Sequence, residues 1–226
     1  MDKTYGAYNA KHACWQTTYE DQAYCLKPVR MDRITADTGE RFYLLVGGSP
    51  IDEDGEPMSV HALAGLVGAF VFELREGGNE LVASTNAMYA GSSGTIPDQW
   101  DLVKLARTGY YGWKTTSGDC HQGYCGTALM LLAPFGKSVK DIAAFNISYE
   151  DGGACETQEC PNGPSSIDST VSIDGTASTE IYPLVVTFKG TMSGRDLSGM
   201  SRRLEFDRKS WRYAVPEDWP LTGVDY

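Results

Sequence analysis

The chain has 226 residues, enough for one large all-β domain to bury a core without relying on metals or cross-links. Thirty acidic residues against nineteen basic ones leave a net charge of −11. That balance argues against phosphate-backbone binding and against docking on anionic lipid, so nucleic acid is not expected as a partner. It favours a cationic partner, a bound cation or simply solubility, the commonest reason for such a balance.

No stretch reaches the roughly 18 consecutive apolar residues that a spanning helix needs. The longest, residues 60–72, is broken by His61, Gly65 and Gly68, so membrane insertion is not expected. The first residues carry no apolar core of a signal peptide, and the chain is read without its export signal.

From the N-terminus, residues 1–30 read as an irregular segment closed by Cys14 and Cys25. Apolar runs joined by turn signals follow. Residues 31–37 and 40–47 flank Thr38-Gly39, a two-residue hairpin connection. The stretch 58–64 reads as a turn or short helix, with Gly65 and Gly68 opposing a longer one. A central strand follows, and 68–74 and 80–86 flank a Gly-containing loop at 75–79. Hairpins are also expected at 101–106/110–116, 127–133/139–150, 169–174/179–189 and 202–207/211–215. Tyr182, Leu184, Val186 and Phe188 alternate with Pro183, Val185, Thr187 and Lys189, the period of a half-buried strand. Leu204 and Phe206, then Trp211, Tyr213 and Val215, repeat it. The Gly-, Pro- and Ser-rich residues 152–168 read as a long loop. The expected architecture is a single all-β domain over 1–226, an antiparallel two-sheet sandwich or barrel-like fold of about six hairpins.

The six cysteines fall in three close pairs: Cys14 with Cys25, Cys120 with Cys125, and Cys155 with Cys160. An even count at short spacing predicts local disulfides that staple loops, and a periplasmic or secreted location. In the chain-entropy account each short loop gains about 2–3 kcal/mol.

Gln122-Gly123-Tyr124-Cys125-Gly126 resembles the opening of the papain-family motif, but Ala128 stands at the nucleophile position and no His follows His121. Asp119, Cys120, His121 and Cys125 have zinc-binding side chains, yet a second ligand pair would require reduced Cys155 and Cys160. His12 and His61 read as ordinary packed or surface histidines. Asp52, Asp54 and Glu56 begin like a calcium loop, with Pro57 where the required Gly should stand. A second acidic group gathers Glu150, Asp151, Glu156 and Glu159. Both groups more often mark solvated turns, so no cofactor is expected, calcium being the one these carboxylates could hold. No Gly-x-Ser-x-Gly elbow is present, and Gly136-Lys137-Ser138 lacks the first Gly of a phosphate loop.

Tyr110, Tyr111 and Trp113, with Tyr124 nearby in sequence, form an aromatic group that could stack on sugars or anchor a protein. The sequence thus points to a non-catalytic extracytoplasmic binding protein, of the acidic inhibitor or immunity type, covering a basic exported enzyme. The alternatives are a carbohydrate-binding module of the cell envelope and a calcium-dependent hydrolase with a dispersed acidic site.

Overall fold

A computed structural model describes residues 1–36, 39–59, 63–156 and 160–222. The turn of the first expected hairpin at 37–38, residues 60–62 with His61, and Glu159 lie outside the described residues.

The chain is nearly all β, as expected. In order it forms α1 (Asp2–Tyr5), β1 (Tyr8–Asn9), β2 (Cys14–Tyr19), β3 (Gln22–Ala36), β4 (Gly39–Gly48), β5 (Gly65–Arg75) and β6 (Gly78–Ala90). There follow β7 (Trp100–Lys104), β8 (Tyr111–His121), β9 (Tyr124–Phe135), β10 (Ser138–Glu150), α2 (Gly152–Cys155), β11 (Ser166–Ile173) and β12 (Leu184–Met192). The last strands are β13 (Arg195–Asp196), β14 (Ser201–Leu204), β15 (Phe206–Asp207) and β16 (Arg212–Tyr213).

The chain divides into two compact units, residues 1–100 with 133–140, and 101–132 with 141–226. The division does not fall in the 152–168 loop; it falls after Trp100 and again on either side of the β9–β10 turn. Among the described residues no barrel closes.

In the first unit β1 to β6 pair in chain order, each antiparallel to the next. The β9–β10 turn joins this unit through a parallel bridge from Ser138 to Ser84. Residues expected to be irregular within 1–30 form β2 and the first half of β3, with Trp15 opposite Leu26 and Tyr19 opposite Gln22. Their turn is Glu20-Asp21, both with positive φ. Acidic side chains there hid a hairpin that a Gly signal would have revealed. The second expected hairpin turns more tightly than its sequence suggests, since Arg75 pairs with Gly78.

β5 is buried over residues 65–71, the pattern of a central strand. One core cluster gathers Tyr5, Tyr24, Leu26, Val46, Leu66 and Phe70. α1 delivers Tyr5, whose ring meets Phe70 edge-on at 6.0 Å and whose hydroxyl donates to the Asn86 carbonyl at 2.7 Å. Burial pushes the Tyr5 phenol pKa up. Gly68 makes room for it: a Cβ there would stand 1.9 Å from the Tyr5 hydroxyl oxygen.

In the second unit β7 to β12 again follow chain order, and β12 carries both β13 and β14 on its far edge. β15 and β16 form a separate two-stranded ribbon. Tyr182, Leu184, Val186 and Phe188 are buried as their alternation predicts, and Leu204 and Tyr213 follow them inside. Val215 departs from the pattern and is exposed, because β16 ends at Tyr213. The expected 175–178 loop extends from Asp174 to Pro183 before β12 begins. Two short hairpins were missed, β8–β9 and β12–β13; both turn on two residues of positive φ, Gln122-Gly123 and Ser193-Gly194.

The turn after β11 is held by Asp174, which accepts from the Thr176 hydroxyl at 2.6 Å and from Arg203 at 2.5 Å. The Thr176 bond and then the Arg203 bond hold its pKa down to about 2.

Gly68→Ala is expected to displace Tyr5 and lower unfolding stability by about 1–3 kcal/mol, read by urea denaturation. Because the Asp174 pKa is lower in the folded chain, its contribution is complete above the unfolded value near 4. It is lost as pH falls towards about 2. The stability gap between wild type and Asp174→Asn should therefore be widest above pH ~4 and close towards pH ~2.

Candidate functional site: an acidic cleft

The local chain path around the second and third cysteine pairs builds a cleft in the second unit. β8 and β9 keep one register from Trp113 opposite Leu132 to His121 opposite Tyr124, which sets Cys120 directly across from Cys125. The two are joined by a disulfide with Cα atoms 4.1 Å apart. Gln122 and Gly123, both at positive φ, make the turn that a right-twisted hairpin favours.

That turn lies against α2. The Ala154 N–H donates to the Gly123 carbonyl at 3.1 Å. A Cβ on Gly123 would come within 2.3 Å of the Ala154 nitrogen, so backbone meets backbone here. Asp151, just before α2, ties the segment shut. Its carboxylate accepts from the Ser165 N–H at 2.6 Å, its own N–H donates to the Ser165 carbonyl at 3.2 Å, and its carbonyl accepts from the Cys155 N–H at 3.0 Å. The Cys155–Cys160 disulfide closes the same loop.

The cleft beside this hairpin measures about 570 Å³ and is lined from β8, β9, β10 and β11. Gly118 and Gly126 line it without side chains. Thr127, Ser148 and Ser166 contribute hydroxyls, and the Cys120–Cys125 disulfide forms part of the wall. Tyr149 is almost fully buried and stacks on Tyr124 at 6.5 Å. Burial, and then the charge of Asp151, raises the Tyr149 pKa and keeps the phenol protonated.

Three carboxylates, Asp119, Glu150 and Asp168, give the cleft its charge, and neither Lys nor Arg lines it. Asp119 spends one oxygen on the Cys120 N–H at 2.8 Å, and Asp168 one on the Ser169 N–H at 2.8 Å. Their second oxygens, and the whole Glu150 carboxylate, have no protein donor among the described residues. The three carboxylates add acceptors, and the hydroxyls of Thr127, Ser148 and Ser166 can accept as well as donate. The arrangement suits an ammonium or guanidinium group, whose hydrogen-bond donors have no acceptor role. No histidine lines the cleft to activate its hydroxyls.

The structure disperses the aromatic group read from the sequence. Trp113 is completely buried opposite Leu132, so it contributes to the core and not to a surface platform; a large ring on the inward-facing side of a strand gains most by burial. Tyr110 packs edge-on to Trp211, whose indole N–H donates to the Tyr110 hydroxyl at 3.3 Å. Tyr111 is half-buried. Tyr124 alone of the four reaches the cleft region, through Tyr149.

The other candidate residues are also accounted for. All six cysteines form the three expected disulfides, so the sulfurs beside Asp119 and His121 are not free for zinc. Asp52 accepts from the N–H groups of Asp54 at 3.0 Å and Glu56 at 2.9 Å; its carboxylate closes its own turn. Asp54 and Glu56 are exposed. Among the described residues no three His, Cys, Asp or Glu side chains gather as a metal cage.

Asp168 and Ser166 carry no signal in the sequence, where they fall at the end of the 152–168 loop; the structure corrects that reading, with α2 at its start and β11 beginning at Ser166. Comparison with protein-family models, curated proteins and solved structures returns no match, so the cleft's own chemistry carries the functional reading.

Asp151→Ala would leave the Ser165 N–H without its acceptor. The expected cost is about 1–3 kcal/mol, with faster proteolytic nicking within 152–165, read by limited proteolysis and mass spectrometry.

Proposed function

We propose that the protein is a non-catalytic extracytoplasmic binding protein whose acidic cleft receives a cationic side chain of a basic protein partner. An acidic inhibitor or immunity-type protein that covers a basic exported enzyme is the version we favour. The observation that carries the reading is the trio Asp119, Glu150 and Asp168, all lining one cleft that no Lys or Arg lines. A net charge of −11 supports it from the whole chain, because long-range attraction raises the encounter rate with a basic surface.

Rigidity supports it further. The hairpin tip and the loop against it are each cross-linked, so few groups need ordering when a partner arrives. Three closed disulfides fit an oxidising compartment, periplasmic or extracellular. The burial of Trp113 weighs against the sugar-platform alternative.

The test is affinity capture from secreted and envelope fractions of the source organism, comparing wild type with Asp119→Asn/Glu150→Gln/Asp168→Asn. One basic protein should bind wild type stoichiometrically. The triple variant should bind it about 10-fold or more weakly, a loss of about 1.4 kcal/mol. Raising the salt concentration should slow association with wild type more than with the variant. Equal capture by both proteins, or recovery of glycan alone, would overturn the reading.

A further inference from the structure

A second cavity, of about 310 Å³, lies in the second unit. Its lining combines the apolar side chains Met192, Leu197, Met200 and Pro220 with the charged Arg195, Arg202 and Asp218. It is near the small end of the size range in which pockets hold small molecules.

Its walls are fixed by contacts within the fold. The β12–β13 turn is a tight pair of positive-φ residues, Ser193 and Gly194. The 197–200 segment is pinned by the Leu197 N–H to the Gly190 carbonyl at 2.9 Å and by the Gly199 N–H to the Phe188 carbonyl at 2.9 Å. The opposite wall, 218–220, is anchored by Trp219. This indole is buried against Phe145 at 5.2 Å and Phe188 at 5.1 Å, and its N–H donates to the Asn146 carbonyl at 3.1 Å. The cavity therefore stands ready-made.

The charges in the wall are unequal. Arg202 is matched by Asp218 at 3.1 Å. Arg195 has no ion pair or side-chain hydrogen bond among the described residues, and its neighbour Asp196 turns one oxygen to the Ser198 N–H at 2.8 Å. One guanidinium thus remains uncommitted in a wall shared with Met192, Leu197, Met200 and Pro220, on a chain whose overall charge is strongly negative. A guanidinium fork pairs with a carboxylate through two parallel bonds. The two methionines supply flexible, polarisable walls that adapt to an aliphatic body.

From this juxtaposition we infer that the cavity binds a small amphiphilic carboxylate, its aliphatic chain among Met192, Leu197, Met200 and Pro220 and its carboxylate on Arg195. The site is independent of the acidic cleft and of any protein that cleft receives.

The probe is octanoate, added to the intact, disulfide-bonded chain and followed by calorimetry and by the methyl resonances of Met192 and Met200. Octylamine and octanol serve as the cationic and neutral comparisons. Octanoate should bind with saturable shifts at both methyl groups, octanol at least about 10-fold more weakly, and octylamine not measurably. Arg195→Gln, on an exposed residue whose change should not impair folding, should weaken octanoate about 10-fold and leave octanol unchanged. Met200→Trp should fill the cavity and abolish both. If that variant does not fold, the Arg195 comparison and the methyl shifts decide the matter alone. Absence of methyl shifts at millimolar octanoate, equal binding of octylamine, or octanoate affinity unchanged by Arg195→Gln would each overturn the inference.

Discussion

Pairing between strands adjacent in the chain, set by very short turns, is the constraint on which the rest of this structure depends. Where β8 meets β9, two residues at positive φ leave no slack, and the register from Trp113–Leu132 to His121–Tyr124 follows without a slip. A one-residue shift would turn Trp113 outward and move Asp119 to the opposite face. The disulfide across Cys120 and Cys125 then locks that register beside the turn. Burial of the core and presentation of the cleft are thus two consequences of one alignment.

The same alignment concentrates negative charge. Asp119, Glu150 and Asp168 come from three strands and line one cleft. Backbone N–H groups hold one oxygen each of Asp119 and Asp168, and Gly123 meets Ala154 closely at the turn beside them. Neither Lys nor Arg lines this cleft. The cavity at Arg195 is its counterpart in sign, and its walls rest on Trp219 with no disulfide among them.

Much of the fold was legible because strands announce themselves by alternation. The buried series from Tyr182 to Phe188 and the central strand β5 followed directly from side-chain period. The N-terminal hairpin was not legible, because Glu20 and Asp21 take conformations usually signalled by Gly or Asn. Val215 broke its pattern because alternation does not reveal where pairing ends. The aromatic group misled for a different reason: Trp113 and Tyr124 share one face of the β8–β9 hairpin, and position along it alone places Trp113 in the core and Tyr124 beside the turn.

The sequence by itself determined the all-β class, the three local disulfides and the acidic character of the chain. Each depends on composition or on residues close together along the backbone. Only the tertiary structure decided which carboxylates share a cleft and which arginine shares a cavity with apolar side chains. Asp119 and Asp168 are far apart in the chain and come to line one cleft solely through the hydrogen-bonded order of β8, β9, β10 and β11. No local periodicity encodes that distance; strand pairing does, because it converts sequence separation into sheet spacing.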